Sequence, residues 1–377
     1  MLKKIAQKIE IKFGYSSNTQ FVVGVLYFFT SFFSVYLKKR NKKVLIVSLG
    51  LPGYLENILD VLDLMIEKNY EIHVFPEWVN VKKFDEELKP FLKKNYIFHF
   101  ESSRVLPLIK CNIFLSSIAG KKYYFPLKGK RLFYFHSTAA MDGFPPNALD
   151  AYDVILSATI QQRNQLLKLY GKQKIILDAG YPKLDKIRKK IANINFETVK
   201  NKRKRVIYAP SYVSDEIYKN LSIHKDSEKI IKKLLDEGFD VVFRPHPLMF
   251  KNPDNSEFIY KIYNKFKKQN LELDPKSDYF NTYCNSDIMV TDISGTSLIY
   301  KVGFRKPVVF LTPDINKAVA SFSLISKIGP VIDNLNELIP IIKKLNTVKD
   351  KTRQDDLVFN LDKSVKYFVY IINKFSS

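Results

Sequence analysis

From residue 43 onward, short runs of β-branched and aromatic residues alternate with stretches of helical periodicity, and no other feature narrows the fold as much. That alternation is the pattern of parallel sheets, because a crossover helix must return the chain to the same end of the sheet before the next strand begins. The spacing predicts strands at 44–49, 71–75, 96–100, 112–116, 132–135, 153–156 and 175–178, with helices over 55–68 and 161–170. Residues 190–204 are polar, rich in Lys and Asn and weakly periodic, as a linker would be. A second series follows, with strands at 206–209, 241–243, 288–291 and 308–311 and helices at 228–237 and 257–267. Apolar residues at helical spacing over 358–375 predict a closing helix. The chain has 377 residues, enough for two domains of roughly 100–200 residues each. The expected fold is therefore α/β, with two doubly wound halves facing a cleft. The division expected is 1–40, 41–195 and 196–377, with the closing helix in the last part.

The first 40 residues read differently. Residues 21–37 form a 17-residue stretch without a charge, and the basic run Lys38, Lys39, Arg40, Lys42, Lys43 follows at once. Such a stretch is at the short end of the roughly 17–25 residues that span a bilayer. No small-residue cleavage site follows it, and Lys3, Lys4 and Lys8 make the other flank basic too. These features predict an N-terminal hydrophobic helix lying in the membrane interface, held by aromatic burial and by attraction to anionic lipid. A hydrophobic helix packed on the first domain is the alternative reading. The whole chain carries 61 Lys+Arg against 38 Asp+Glu, a net +23, which implies acidic partners: nucleic acid, anionic lipid or phosphorylated substrates. No nucleic-acid module is recognisable, so nucleic acid is not expected. The only cysteines, Cys111 and Cys284, fit neither a disulfide framework nor a zinc site.

Ligands of open α/β sheets bind outside the carboxyl ends of the strands, so residues just after strands are the candidates. His136 follows one strand in Phe135-His136-Ser137-Thr138, where an imidazole can accept a proton from an attacking hydroxyl. Arg244 and His246 follow another in Arg244-Pro245-His246-Pro247; a guanidinium fork and an imidazole suit diphosphate oxygens, and the prolines stiffen the loop. Ser294, Gly295, Thr296 and Ser297 end an apolar strand and open a helix, where backbone N–H groups and hydroxyls can cradle phosphate; an ordinary helix cap reads the same way. Pro210 and Ser211 end the first strand of the second half and line the same side. No carboxylate cluster of metal-binding spacing stands out, and neither a metal nor another cofactor is expected.

In their order and spacing these segments resemble the CDP-glycerol glycerophosphotransferase family of the teichoic-acid and capsule type. The resemblance rests on Phe135-His136-Ser137, Ala148-Leu149-Asp150-Ala151-Tyr152-Asp153, Gly180-Tyr181-Pro182, Tyr208-Ala209-Pro210-Ser211, Arg244-Pro245-His246-Pro247, Ser286-Asp287, Thr291-Asp292-Ile293-Ser294-Gly295 and Lys306-Pro307-Val308-Val309-Phe310. It implies a GT-B fold, with a Rossmann-like acceptor domain followed by a Rossmann-like donor-nucleotide domain. It further implies transfer of glycerol phosphate, or a related polyol phosphate, from a CDP-activated donor to a hydroxyl of a membrane-linked glycan or polymer, with CMP leaving. His136 and His246 are then the catalytic histidines: His136 activates the acceptor, while His246 and Arg244 hold the donor diphosphate. Ser294 to Ser297, with Pro210 and Ser211, complete the donor site. The implied location is the cytoplasmic face of the cell membrane. A GT-B glycosyltransferase using a nucleotide sugar is the alternative, because a diphosphate-binding site serves both reactions.

Overall fold

The computed structural model describes residues 42–50, 52–76, 95–99, 106–107, 110–120, 125–126, 128–137, 147–194, 203–211, 224–276, 278–321, 323–345 and 356–376, together with Val25 and Phe29. The N-terminal stretch expected at the membrane, apart from those two positions, lies outside the described residues. Among the described residues no helix is long and apolar enough to cross a membrane.

The chain divides into two compact units. The first contains the described residues of Met1–His136, Gly143–Lys183 and Phe359–Ser377; the second contains those of Ser137–Asp142 and Leu184–Val358. The first unit is built on seven parallel strands: β1 (Lys43–Leu49), β2 (Tyr70–Pro76), β3 (Tyr96–Phe98), β4 (Lys110–Ser116), β5 (Lys128–Tyr134), β6 (Val154–Ser157) and β7 (Ile175–Asp178), in the spatial order β3-β2-β1-β4-β5-β6-β7. β1 is central and every residue of it after Lys43 is buried, which explains why it reads as an unbroken apolar run rather than an alternation. The order reverses between β1 and β4, and a doubly wound sheet opens its ligand crevice at such a reversal.

The second unit repeats the plan with β8 (Arg205–Ala209), β9 (Asp240–Phe243), β10 (Leu271–Leu273), β11 (Ile288–Thr291), β12 (Val308–Leu311) and β13 (Val331–Ile332), ordered β10-β9-β8-β11-β12-β13 and parallel throughout. Here the reversal falls between β8 and β11. Helices Ser227–Asp236 and Pro253–Phe266 bury Ile230, Ile231, Leu234, Ile259 and Ile262 against one face of this sheet.

Three sequence expectations change. The closing helix, observed as Ser364–Phe375, belongs to the first unit: Phe368, Val369, Ile371 and Ile372 enter the core formed by β1, β2, β4 and helix Leu59–Glu67. Its apolar periodicity shows that a face is buried but carries no information about which sheet buries it. The division between units falls inside helix Pro182–Ala192, upstream of the polar linker, because Leu184 and Ile187 pack on Gly303 of the second unit; a Cβ at Gly303 would stand 3.1 Å from Ile187 and 3.3 Å from Leu184. The helix expected over 55–68 is a 3-10 turn, Pro52–Asn57, followed by helix Leu59–Glu67. The edge strands β10 and β13, of three and two residues, are too short for a periodic signal.

Candidate active site

In the first unit the loops after β1, β4, β5 and β7 meet around His136. The imidazole stacks on Tyr54, with ring centroids 4.1 Å apart and planes 12° apart. Its Nδ1 lies 3.4 Å from the carbonyl oxygen of Ser117, which can only accept. The proton is therefore on Nδ1, and the Nε2 lone pair is left to take up another. The backbone is held as firmly as the ring: the His136 carbonyl accepts from Asn57 Nδ2 at 3.0 Å and from the Tyr181 hydroxyl at 2.9 Å. Tyr181 is itself fixed by Asn57 Oδ1, 3.2 Å from its hydroxyl, and by Ser364 Oγ, which accepts from its backbone N–H at 3.1 Å. Burial lowers the His136 pKa below its ordinary value of 6.5, opposed in part by the Ser117 carbonyl, so the imidazole is neutral at pH 7.

Tyr181 depends on a glycine. Gly180 has φ +86°, and a Cβ there would meet the Phe359 carbonyl at 2.3 Å and Ser364 Oγ at 2.4 Å. Glycine is thus required both by the backbone conformation and by the close approach of the terminal segment.

In the second unit the loops after β8, β9 and β11 leave adjacent strands. Asp292, 1% exposed, accepts the Ser211 N–H with both carboxylate oxygens, at 3.0 and 3.2 Å, and the Ser211 hydroxyl at 2.5 Å. Thr291 Oγ1 donates to the Ala209 carbonyl at 2.6 Å. These bonds stitch the Pro210-Ser211 turn to the serine turn across the switch point. Within the serine turn, the Ser297 N–H and hydroxyl both donate to the Ser294 carbonyl, at 3.1 and 2.5 Å. Ser297 is fully buried, so its side chain closes the turn; Ser294, Gly295 and Thr296 are only half buried.

Arg244 is 7% exposed and is paired within the protein. One terminal nitrogen donates to the Asp274 carboxylate and the other to the Lys276 carbonyl, at 2.8 Å for the latter. Asp274 also accepts from Thr282 Oγ1 at 2.5 Å and from the Lys276 N–H at 3.1 Å. The guanidinium lies 5.8 Å from the Tyr283 ring centroid, and the Tyr283 hydroxyl makes a 2.5 Å hydrogen bond with Thr296 Oγ1. Arg244 is thus coupled through Tyr283 to the serine turn. Lys306 supports the same assembly: its Nζ donates to the carbonyls of Tyr283, Cys284 and Ser286 at 2.9, 2.5 and 2.5 Å. His246 begins the 3-10 turn Pro247–Lys251, and its Nδ1 accepts the Leu248 N–H at 3.2 Å. That bond puts the neutral ring's proton on Nε2, which becomes a donor. His246 is exposed to solvent on one side; its partial burial by the loop and the nearby Arg244 charge both lower its pKa.

Asp274, Tyr283, Tyr54 and Asn57 escape sequence reasoning. Asp274 follows the three-residue strand β10, and the other three lie in turns and helices with no local motif. Asp292, Tyr181 and Lys306 sit inside the recognised segments, but their roles as internal supports emerge only from their partners.

Over residues 137–367 the sequence matches the family described as CDP-Glycerol:Poly(glycerophosphate) glycerophosphotransferase. The chain belongs to this family. It is accordingly a glycerophosphotransferase of the CDP-glycerol-using kind, and His136 stands one residue ahead of the matched region. A comparison with curated proteins finds no match. Among solved structures, the UDP-GlcNAc 2-epimerase from Methanocaldococcus jannaschii aligns with TM-score 0.61 at 14% identity, covering 88% of this chain and 99% of the epimerase. A putative UDP-N-acetylglucosamine 2-epimerase from Listeria monocytogenes aligns with TM-score 0.61 at 16% identity, over 88% of this chain and 96% of its own. The wall teichoic acid polymerase TagF aligns with TM-score 0.58 at 16% identity, over 99% of this chain and 97% of its own. At these identities the alignments establish the shared GT-B-like fold.

Proposed function

We propose that this glycerophosphotransferase moves glycerol phosphate, or a related polyol phosphate, from a CDP-activated donor to a hydroxyl of a membrane-linked glycan or polymer, and releases CMP. The observation that carries the reading is the state of His136, a neutral imidazole with Nδ1 committed to Ser117 and Nε2 left to act as a base. In the reaction, the acceptor oxygen attacks the phosphorus that bears the polyol. Its proton passes to His136 Nε2, the new P–O bond forms, and the bond from that phosphorus to the bridging oxygen breaks, so that CMP leaves with the electron pair.

Donor recognition belongs in this reading to the second unit. The half-buried Ser294, Gly295 and Thr296 offer polar groups to the diphosphate, and His246 offers its Nε2–H to an oxygen that gains charge as CMP departs. Arg244 shapes this surface from within, as part of the Asp274–Tyr283 assembly. The first unit handles the acceptor. Residues 1–40 and the chain's net +23 hold the enzyme on the anionic cytoplasmic face of the membrane.

Donor identity is tested by thermal stabilisation of the full chain with CDP-glycerol, CDP-ribitol and UDP-sugars. A ligand at 100 times its Kd adds about 2.7 kcal/mol to the stability of the state that binds it. CDP-glycerol or CDP-ribitol should raise Tm where UDP-sugars do not. A shift produced by UDP-sugars alone would overturn the reading.

A further inference from the structure

At the end of the first sheet opposite His136 lies a second polar concavity. Lys130 and Arg131 near the start of β5, Asp150 and Asp153 on the turn into β6, and Lys172 and Lys174 on the turn into β7 line a pocket of about 440 Å³. Catalytic ligands of such sheets bind at the carboxyl ends, as His136 does, so a pocket at the amino ends is separate from the chemistry.

Its charges are unbalanced, with four cations to two carboxylates. Asp153 is largely spent on the strand: it accepts the Arg131 backbone N–H at 2.8 Å and lies 3.7 Å from Lys130 Nζ. Lys174 Nζ is anchored on the carbonyls of Asp150 and Tyr152, the latter at 2.8 Å; these neutral acceptors fix its position and leave its charge uncompensated. The Arg131 guanidinium lies 4.7 Å from the Phe125 ring centroid and has no hydrogen-bond acceptor among the described residues. A half-buried guanidinium, held by an aromatic ring and without a hydrogen-bonded anion among the described residues, is disposed to receive one.

We propose that this pocket is a second binding site, for a phosphate ester that bears hydroxyl groups, and that its occupant is a phosphodiester segment of the polyol phosphate polymer. Arg131, Lys130 and Lys172 take the phosphate oxygens, and the Asp150 carboxylate, exposed at the rim, accepts from a polyol hydroxyl. The identity of the polymer rests on the function proposed above. A concave site that pairs cations with a hydroxyl acceptor suits a polyol phosphate better than a planar array of lipid headgroups. The strand from Lys130 to His136 spans roughly 20 Å at about 3.3 Å per residue, so the segment held lies well behind the reacting end. Holding it there retains the product between transfers.

The test compares the full chain with the Lys130→Gln/Arg131→Gln/Lys172→Gln variant in binding a defined glycerol phosphate oligomer, glycerol 3-phosphate and phosphatidylglycerol vesicles. Charge-assisted hydrogen bonds of this kind predict a loss of roughly tenfold or more in oligomer affinity. Products from long acceptors should shorten, while transfer to a single-unit acceptor stays unchanged. The exposed substitution Lys172→Gln alone should act in the same direction and leaves folding unaffected. Oligomer affinity unchanged in both variants would overturn the proposal. So would a loss confined to the vesicles, which marks a lipid headgroup, or glycerol 3-phosphate binding as tightly as the oligomer, which marks a free polyol phosphate. Absence of any transfer by the native chain would count against the proposed function and not against the pocket, because the binding measurement needs no turnover.

Discussion

The base role proposed for His136 rests on how its Nδ1, its carbonyl and one ring face are held. Ser117 takes Nδ1–H, Asn57 and Tyr181 take the carbonyl, and Tyr54 covers one ring face. His136→Ala should reduce turnover by about 10²–10⁴-fold, the usual contribution of a general base, while the donor dissociation constant stays within about threefold; isothermal titration beside steady-state kinetics separates the two. Because burial holds the His136 pKa below 6.5, the neutral imidazole dominates at pH 7. kcat/KM should therefore have an acid limb below pH 6.5, where the ring gains a proton. Linkage works in the same sense for stability: the unfolded chain takes up that proton first, so the contribution is full above pH 6.5 and is lost as pH falls through the folded pKa. A rate that rises on acidification through this range would exclude the role. Asp274 gives a different kind of residue test. Removing its carboxylate leaves the buried Arg244 uncompensated, so Asp274→Ala should cost roughly 3–5 kcal/mol in denaturant unfolding and weaken donor binding. Motifs made His136, Arg244 and His246 legible, since each follows an apolar strand with a distinctive neighbour. What each side chain does was not, because the state of a histidine depends on Ser117 or Leu248, and the pairing of Arg244 on a carboxylate 30 residues away.

At the level of elements, the terminal helix Ser364–Phe375 connects stability to the site. Phe368 is 1% exposed in the first core, and Ser364 at the start of the helix holds the Tyr181 N–H. Phe368→Ala should destabilise the first unit by roughly 3–5 kcal/mol, the usual cost of emptying an aromatic core position, read as a lower Tm. Gly180→Ala combines a positive φ with a 2.3 Å clash against the Phe359 carbonyl, so it should lower both Tm and turnover by displacing Tyr181. Full activity in Gly180→Ala would show that the terminal segment does not support His136. The internal strands were legible because burial on both faces makes them continuous apolar runs. The edges of the second sheet were not: β10 and β13 have three and two residues, too few to show a period. Nor was the parentage of the terminal helix, because a helical stripe is the same whichever sheet covers it.

For the whole molecule, two sheets of the same winding each have their own core and their own set of loops at the carboxyl ends, and the proposed function divides donor and acceptor between them. The membrane assignment belongs to this scale. Removing residues 1–40 should release the chain from phosphatidylglycerol vesicles and leave the unfolding transitions in place, with the remaining attraction weakening as salt rises. Undiminished sedimentation of the truncated chain would contradict the anchor. The central claim, however, is phosphoryl transfer, and the nucleotide that leaves reports it directly. Incubating the full chain with CDP-glycerol and a hydroxyl acceptor and identifying the released nucleotide by phosphorus NMR should give CMP in proportion to product, with none above background for His136→Ala. Release of a nucleoside diphosphate from a sugar donor, with CDP-glycerol untouched, would contradict it.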